Sequence, residues 1–592
     1  MKNTSAIRIT GFAGLILILV YLFHFLHQVD ISLIYCWQQS VPLSTVDYLH
    51  YPGGISDLLG ARLLELMTLP YWGSIVVALL VAIVFFSLLL IFRHMKGNPL
   101  YFVSLLLALV PYIILFAHYR LPAGLLTGLT AGFLIAAVQS LYSPGKSVAR
   151  SGYYFITGVV VYIIAGAAGL IVLVQVVIIE TVLQKRYLEL VSVLLPLLII
   201  PLCFFPLFDS IYTFKYAYLG SFIITGYFDI PTTLFLSLCS PVLILPVYYG
   251  LTFIFSRFSV KSPLLISGIG IIAVLAVLFF SSEASIKGDE KGILSVAKAS
   301  FQGDWEKVIQ LSKDRQFNNK VVQFEINRAL YHTGRLLDDM FHYNQEFGNE
   351  GIFLEYNYAS SVAIHMSKFY SDMGFVTEAR HWANEAHTSF MGHPVVLKQL
   401  IKTYLAMGYE EAAKKYLRIL SGSWLYKDWC SRIRLMIENN TADADPEIQS
   451  YIANNPETDY FASTKHPTEK ILAFYNSNRD NKMAFEYLIA SYLLQHELGK
   501  VVNRLQGFRD LGYKKLPDAV EEALLIYVTK KKEEDPKLTG FSVNAKKIEE
   551  FKDFSELVLD GKSRAEGMEN ASKYRNTYWY YVLFTSPYAS QQ

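Results

Sequence analysis

The chain has 592 residues, 53% hydrophobic and 15% aromatic, with 52 Lys+Arg against 50 Asp+Glu and a formal charge of +2. That length excludes a single compact domain, and that apolar content excludes a disordered chain. The near-neutral total hides two regimes. Residues 1–282 carry 13 basic and 8 acidic side chains, and residues 283–592 carry 39 and 42. Neither part holds a dense basic patch or a nucleic-acid motif, so no nucleic-acid partner is expected.

The first part is a series of apolar runs split by short basic loops. Ile7–Val29 is too long for a signal-peptide core and no small-residue cleavage site follows it, so it reads as a retained span. Nine spans are expected, at roughly 7–28, 71–92, 99–117, 121–142, 152–166, 167–184, 187–208, 231–256 and 264–281. The 152–184 run is broken only by Ala165-Gly166-Ala167-Ala168-Gly169 and reads as one long tilted helix or two short ones. Charge decides for two. With a cytoplasmic N-terminus and a split there, ten Lys/Arg flank the cytoplasmic ends, against Arg62, Arg120 and Lys215 outside. Merging the two spans removes that excess. An odd count sends everything after the last span, Leu264–Ser281, to the extracytoplasmic side.

Asp30–Pro70 is the longest external loop, with four carboxylates, Asp30, Asp47, Asp57 and Glu65. After a turn at Tyr51-Pro52-Gly53-Gly54, Ile55–Met67 has a helical pattern. Leu58, Leu59, Leu63, Leu66 and Met67 form one broad face, and Asp57, Arg62 and Glu65 point elsewhere. Such a helix suits the membrane interface or a groove between spans. Its carboxylates either serve solvation and capping, or one binds a metal or acts as a base. The link His118-Tyr119-Arg120-Leu121-Pro122 places a guanidinium fork at the outer surface, to hold a phosphate or to snorkel. Lys215 lies in the aromatic loop Asp209–Asp229. Glu180 is a carboxylate inside a span, and Lys185 and Arg186 at the same end predict a local ion pair. Cys36, Cys203, Cys239 and Cys430 have no zinc-site spacing and predict no disulfide.

In the second part spacing carries the signal. Tyr370-Ser-Asp-Met-Gly374-Phe-Val-Thr-Glu-Ala379 and Tyr404-Leu-Ala-Met-Gly408-Tyr-Glu-Glu-Ala412 place their glycines 34 residues apart, the tetratricopeptide period. Weaker copies surround Gly303 and Gly334, and another pair is expected over Ala484–Leu505. Stacked pairs bury a shared core and leave a curved surface. Asn439–Thr468 and Lys530–Lys547 read as breaks, and the aromatic run Lys573–Phe584 as a segment that docks back on the solenoid or on the bilayer. His365, His381, His387 and His393 cluster in sequence but diverge on helices. No phosphate-binding glycine loop, HExxH or GxSxG occurs. The expected fold is all-α: a polytopic helical membrane domain, 1–282 with external loop 30–70, then an irregular tetratricopeptide-like α-solenoid, 283–592.

The Tyr51-Pro-Gly-Gly loop, the His118–Pro122 link and the Phe369–Ala386 repeat resemble a family of bacterial multi-pass proteins, typical of Bacteroides-like gut bacteria, that pair a membrane half with tetratricopeptide-like helices. The resemblance implies no established activity; the expected setting is the bacterial inner membrane, in contact with the lipid bilayer, with an envelope protein as the partner of the repeats. In layout alone, the membrane half is similar to C-superfamily glycosyltransferases, which take sugar from a polyprenyl-phosphate donor. That similarity implies Asp30, Asp47 or Asp57 as catalytic carboxylate, His118, Arg120 and Lys215 as donor-phosphate contacts, a lipid-linked sugar substrate and a divalent metal. The loop has no Asp-x-Asp or Glu-x-Asp pair.

Overall fold

A computed structural model describes residues 2–588 apart from 39, 43–44, 70, 96–99, 205, 207–216, 219–231, 258–261, 314, 355–361, 454–466 and 531–539. Among these residues all regular elements are helical. The chain divides into two compact units, Met1–Lys291 and Gly292–Gln592.

Among the described residues of the first unit six helices are long and apolar enough to cross a membrane, or seven if Thr232–Leu238 and Ser240–Ser256, bent by 82°, count as one span. Two features explain the difference from nine. Ala123–Gln139 is short, at 17 residues. Ser147–Leu183 is a single 37-residue run that doubles back at Gly166 (φ 62°, ψ −154°). The Tyr154 hydroxyl donates to Glu180 Oε2 at 3.0 Å. Twenty-six residues of continuous helix would hold these groups about 39 Å apart, so the arms on either side of Gly166 run antiparallel. The break lies inside the predicted Ala165–Gly169 interruption. With the two arms counted separately, every one of the nine apolar stretches contains helix.

Two helices organise this unit. Leu100–Ile114 packs against Pro263–Ser285, Ser240–Ser256 and Thr232–Leu238. Ala123–Gln139 packs against the folded Ser147–Leu183 run, Gly54–Met67 and Trp72–Ile91. The His118–Pro122 link joins these two central helices. Small residues set the spacing: a Cβ on Gly132 would lie 2.5 Å from Gly169 Cα, and one on Gly60 would lie 2.7 Å from Gly124 N. The Tyr51–Gly54 turn seats on the Gly166 bend. Gly53 N–H donates to Ile163 O at 3.1 Å and Ser56 Oγ to Ile164 O at 2.7 Å.

The Gly54–Met67 helix occupies a groove between helices, but its inward face is not the expected one. Ser56, Gly60, Ala61, Leu64, Glu65 and Met67 are buried, and Leu59 is 51% exposed. Apolar neighbours give a leucine stripe no preference for the interior, whereas small side chains let backbones touch. Glu65, expected to point away, is fully buried and lies 3.4 Å from Arg62 Nη1.

The second unit is built from helix pairs joined by one recurring turn. Gly303, Gly334, Gly374 and Gly408 all have φ between 70° and 85°. After each, the next N–H reaches back five residues: Asp304 to Ala299 O, Arg335 to Leu330 O, Phe375 to Tyr370 O and Tyr409 to Tyr404 O, at 2.7–3.0 Å. Glycine alone takes that left-handed position without cost. The best-defined array runs Val362–Asp372, Val376–Ser389, Pro394–Ala406, Glu410–Leu420, each packed on the next. The aromatic C-terminal run docks on this unit. Trp579 Nε1 donates to Glu522 O at 2.9 Å, and Tyr578 Oη donates to Leu493 O at 3.0 Å.

Candidate functional sites

Of the candidates of the first unit, Asp30, His118, Arg120 and Asp57 lie on or near the link between its central helices. Asp30 sits between Lys2–Val29 and Ile31–Gln38 with a left-handed backbone (φ 53°) and accepts from Ser32 Oγ at 2.6 Å. One residue earlier, Val29 O accepts the Tyr119 hydroxyl at 2.7 Å, and Gln38 Nε2 donates to Tyr119 O at 2.8 Å. The link is thereby stitched to the end of the first helix. On either side of Tyr119, His118 Nε2 lies 3.0 Å from Thr233 Oγ1, and Arg120 Nε donates to Glu290 Oε1 at 3.1 Å. Burial lowers the His118 pKa, and the Lys287 charge adds to the effect. Its imidazole is thus held toward the neutral form, a weaker anion contact than an imidazolium. Arg120 is 65% exposed at the side chain.

Asp57 is engaged one element away. Tyr51 Oη donates to Asp57 Oδ2 at 2.9 Å. The other carboxylate oxygen lies against Gly124 in the first turn of Ala123–Gln139, where any Cβ would overlap it. Burial pushes the Asp57 carboxyl up to about 6, although the tyrosine bond pulls it down. A carboxyl that titrates there suits proton transfer near neutral pH. Asp47 begins the short turn Asp47–Leu49; its side chain and Lys215 lie outside the described residues. No group of three or more His, Cys, Asp or Glu side chains able to hold a metal occurs among the described residues.

Glu180 differs from expectation. Its carboxylate accepts from Tyr154 Oη and Gln139 Nε2, at 3.0 and 3.3 Å, rather than from Lys185 or Arg186. The hairpin delivers Tyr154 from 26 residues away, beyond the reach of local spacing.

The second unit holds a charged network that sequence reading missed. Arg328, fully buried, donates from Nε to Asp372 Oδ2 at 2.6 Å and from Nη1 to Glu325 Oε2 at 3.2 Å. Glu325 also accepts from Ser300 Oγ and lies 2.5 Å from His365 Nδ1. The guanidinium packs over Trp305, 4.8 Å from its centroid, and Trp305 stacks on His332 at 4.2 Å. Burial alone would raise the Glu325 carboxyl, but the Arg328 charge, His365 and the Ser300 hydrogen bond together outweigh it and hold the group well below its ordinary value. His393 caps Pro394–Ala406 by accepting Val395 N–H at 3.3 Å. A cleft of about 930 Å³ opens elsewhere in this unit, among Arg315, Gln345, Glu346, Tyr343, Arg575 and Tyr580.

Residues 5–585 match a family described as a family of unknown function, DUF6057. The chain belongs to that family. Comparison with curated proteins and with solved structures found no match.

Proposed function

We propose that this chain is a multi-pass protein of the bacterial inner membrane that presents tetratricopeptide-like repeats to a protein partner in the cell envelope. Its N-terminus is cytoplasmic and its repeats are extracytoplasmic. The supporting observation is the turn repeated at Gly303, Gly334, Gly374 and Gly408, together with the helices of 362–420, each packed on the next. No catalytic constellation is needed for that role. The test is in-cell cross-linking of the full-length chain followed by mass spectrometry. One or more envelope proteins joined to residues of the second unit support the reading. Cross-links confined to cytoplasmic proteins overturn it, as does a reporter fusion at Glu283 active only in the cytoplasm.

One observation favours a second reading, a polyprenyl-phosphate-dependent glycosyltransferase: the Asp57 carboxyl, raised to about 6, lies in the 30–70 loop that would supply a base. In that reading Asp57 takes the proton of an acceptor hydroxyl, and Arg120 holds a donor phosphate. Asp57→Asn would then abolish an envelope glycan. An unchanged glycan profile in Asp57→Asn and Arg120→Ala cells removes this alternative.

A further inference from the structure

The cleft of about 930 Å³ in the second unit is built from two distant segments, 312–346 and 568–585. Rings close them on each other: Phe341 lies 4.9 Å from Tyr581 and 5.0 Å from Tyr578, between centroids. The docked aromatic C-terminal run therefore supplies one side of the cleft. Its volume is near the top of the range for ligand pockets, about 300–1,000 Å³. Its lining departs from theirs, because most of the side chains carry a polar group, whereas pockets for apolar ligands are lined mainly by carbon. A hydrophilic occupant suits it.

One wall is pinned from behind by a buried amide network. Gln345 Nε2 donates to Asn327 Oδ1 at 3.0 Å and to Met340 O at 2.8 Å. Gln345 Oε1 accepts from Gln323 Nε2 and Asn327 Nδ2, at 3.0 and 3.1 Å. Phe347 N–H donates to Gln323 Oε1, and Glu346 N–H to Asn344 Oδ1, both at 3.2 Å. These bonds fix the backbone that carries Glu346. Yet Glu346 Oε1 is buried and accepts no hydrogen bond among the described residues. A carboxylate oxygen left in that state is costly, and a donor on a ligand in the cleft removes the cost. The other segment brings Arg575, exposed and with no carboxylate in ion-pair distance among the described residues. Arg315 also lines the cleft, but its guanidinium is seated over the Phe317 ring, 5.0 Å from the centroid.

These two groups select the ligand. Arg575 offers a planar fork that fits a carboxylate. Glu346 repels a bare anion and asks for O–H or N–H donors beside the acid. Lys313, Arg315 and Arg575 against the single carboxylate Glu346, among the described lining residues, favour a net negative ligand over a zwitterion. A hydrophilic molecule that joins hydroxyl donors to an acid is an acidic sugar, and the volume admits more than one ring. We propose that this cleft binds an acidic saccharide, with a sugar carboxylate on Arg575 and a sugar hydroxyl donating to Glu346 Oε1. The site goes beyond the protein-partner reading and does not depend on it.

The test uses the full-length chain in detergent on an array of oligosaccharides with and without uronic acid units. Saturable binding to the uronic acid members, weak or absent on the neutral ones, is expected. Glu346→Met and Arg575→Met should each weaken it by about tenfold, and Lys552→Met, at an exposed lysine outside the cleft, should not. Glu346→Met should also melt no lower than the parent, since the lost oxygen has no partner in the fold. On the wild-type chain, a bound uronic acid oligosaccharide should slow phenylglyoxal modification of Arg575, read by mass spectrometry, and leave exposed Arg432 unchanged. Equal binding of neutral and acidic members, no binding, unchanged modification of Arg575, or a lower melting temperature in Glu346→Met overturns the proposal. So does full competition by equal succinate, an anion without hydroxyls, or by diglycine, a zwitterion.

Discussion

The two units solve the same problem, bringing helices into close contact, by opposite means. In the first, backbones touch through missing side chains: Gly132 on Gly169, Gly60 on Gly124, Gly53 on Gly166. Its interior hydroxyls mostly return to backbone carbonyls, as Thr130 does to Leu126 and Thr181 to Val177. In the second, large side chains fill the interior and charge is buried outright, with Arg328 among the largest fully buried groups. The difference follows from the surroundings. Among lipid tails apolar burial drives little, so contact area and satisfied backbone groups decide packing. In water the aromatic and aliphatic core drives folding, and it leaves enough stability to carry an ion network that itself adds specificity more than energy.

That contrast is broken most sharply at Arg328. Arg328→Met leaves Glu325 and Asp372 buried without their cation, and a loss of about 3–5 kcal/mol is expected in the second unit. Limited proteolysis of the full-length chain should show the second unit cleaved first, with the first unit protected. The corresponding break in the first unit is Gly166→Ala. A φ of 62° with ψ of −154° is glycine territory, and the new methyl meets Gly53 Cα at 3.2 Å and Pro52 O at 3.3 Å. A cost of about 1–3 kcal/mol is expected, read as a lower melting temperature in detergent. Equal melting temperatures would show that the bend is not held by the Tyr51–Gly54 turn.

Much of the architecture was legible in the sequence, and the unread parts have particular causes. The turns at Gly303, Gly334, Gly374 and Gly408 announced themselves because glycine relieves a left-handed backbone. A further turn of the same form is closed by Glu497 N–H on Tyr492 O at 2.8 Å, and there His496 takes φ 61°. No composition signal marks it, and the pair around it was placed only from apolar spacing. The Gly166 bend was legible from the glycine cluster together with charge placement. The inward face of Gly54–Met67 was misread because leucine was taken as the mark of the core. Asp57 was named as a candidate, but its neighbours were not, since Gly124 comes from 67 positions away. The Arg328–Glu325 spacing resembles an ordinary surface pair on a helix. Only the tertiary partners Asp372, Ser300 and His365 make it a buried network.

Asp57 sharpens the comparison as the first unit's own costly charge. Its folded-state pKa is raised, so the folded chain holds an extra proton between about 4 and about 6. Stability contributed by the protonated form is present below about 4 and is lost as pH rises through 6. Asp57→Asn should therefore leave the melting temperature at pH 4 nearly unchanged. At pH 7 it should stabilise the chain by about 1–2 kcal/mol, discounted for the partial exposure of the group. An Asn variant destabilised at pH 7 would mean that the carboxylate is held by attractions stronger than its burial.

The smallest effect is expected at Arg120, and its smallness is what makes it useful. The pair with Glu290 is largely exposed, 65% at the arginine, and pairs of that kind are worth about 0–1 kcal/mol. Arg120→Ala should melt within a degree or two of the parent and fold normally, since the link is held by Tyr119 on Val29 O and Gln38 on Tyr119 O rather than by the guanidinium. Glu290→Gln should behave the same way, which checks that the pair and not a wider arrangement is being measured. A lost envelope-glycan phenotype in Arg120→Ala cells, with melting and expression intact and Glu290→Gln silent, would then assign the guanidinium to a phosphate outside the chain. If both variants are silent, the fork is a surface ion pair, and the transferase reading is left to be tested at Asp57.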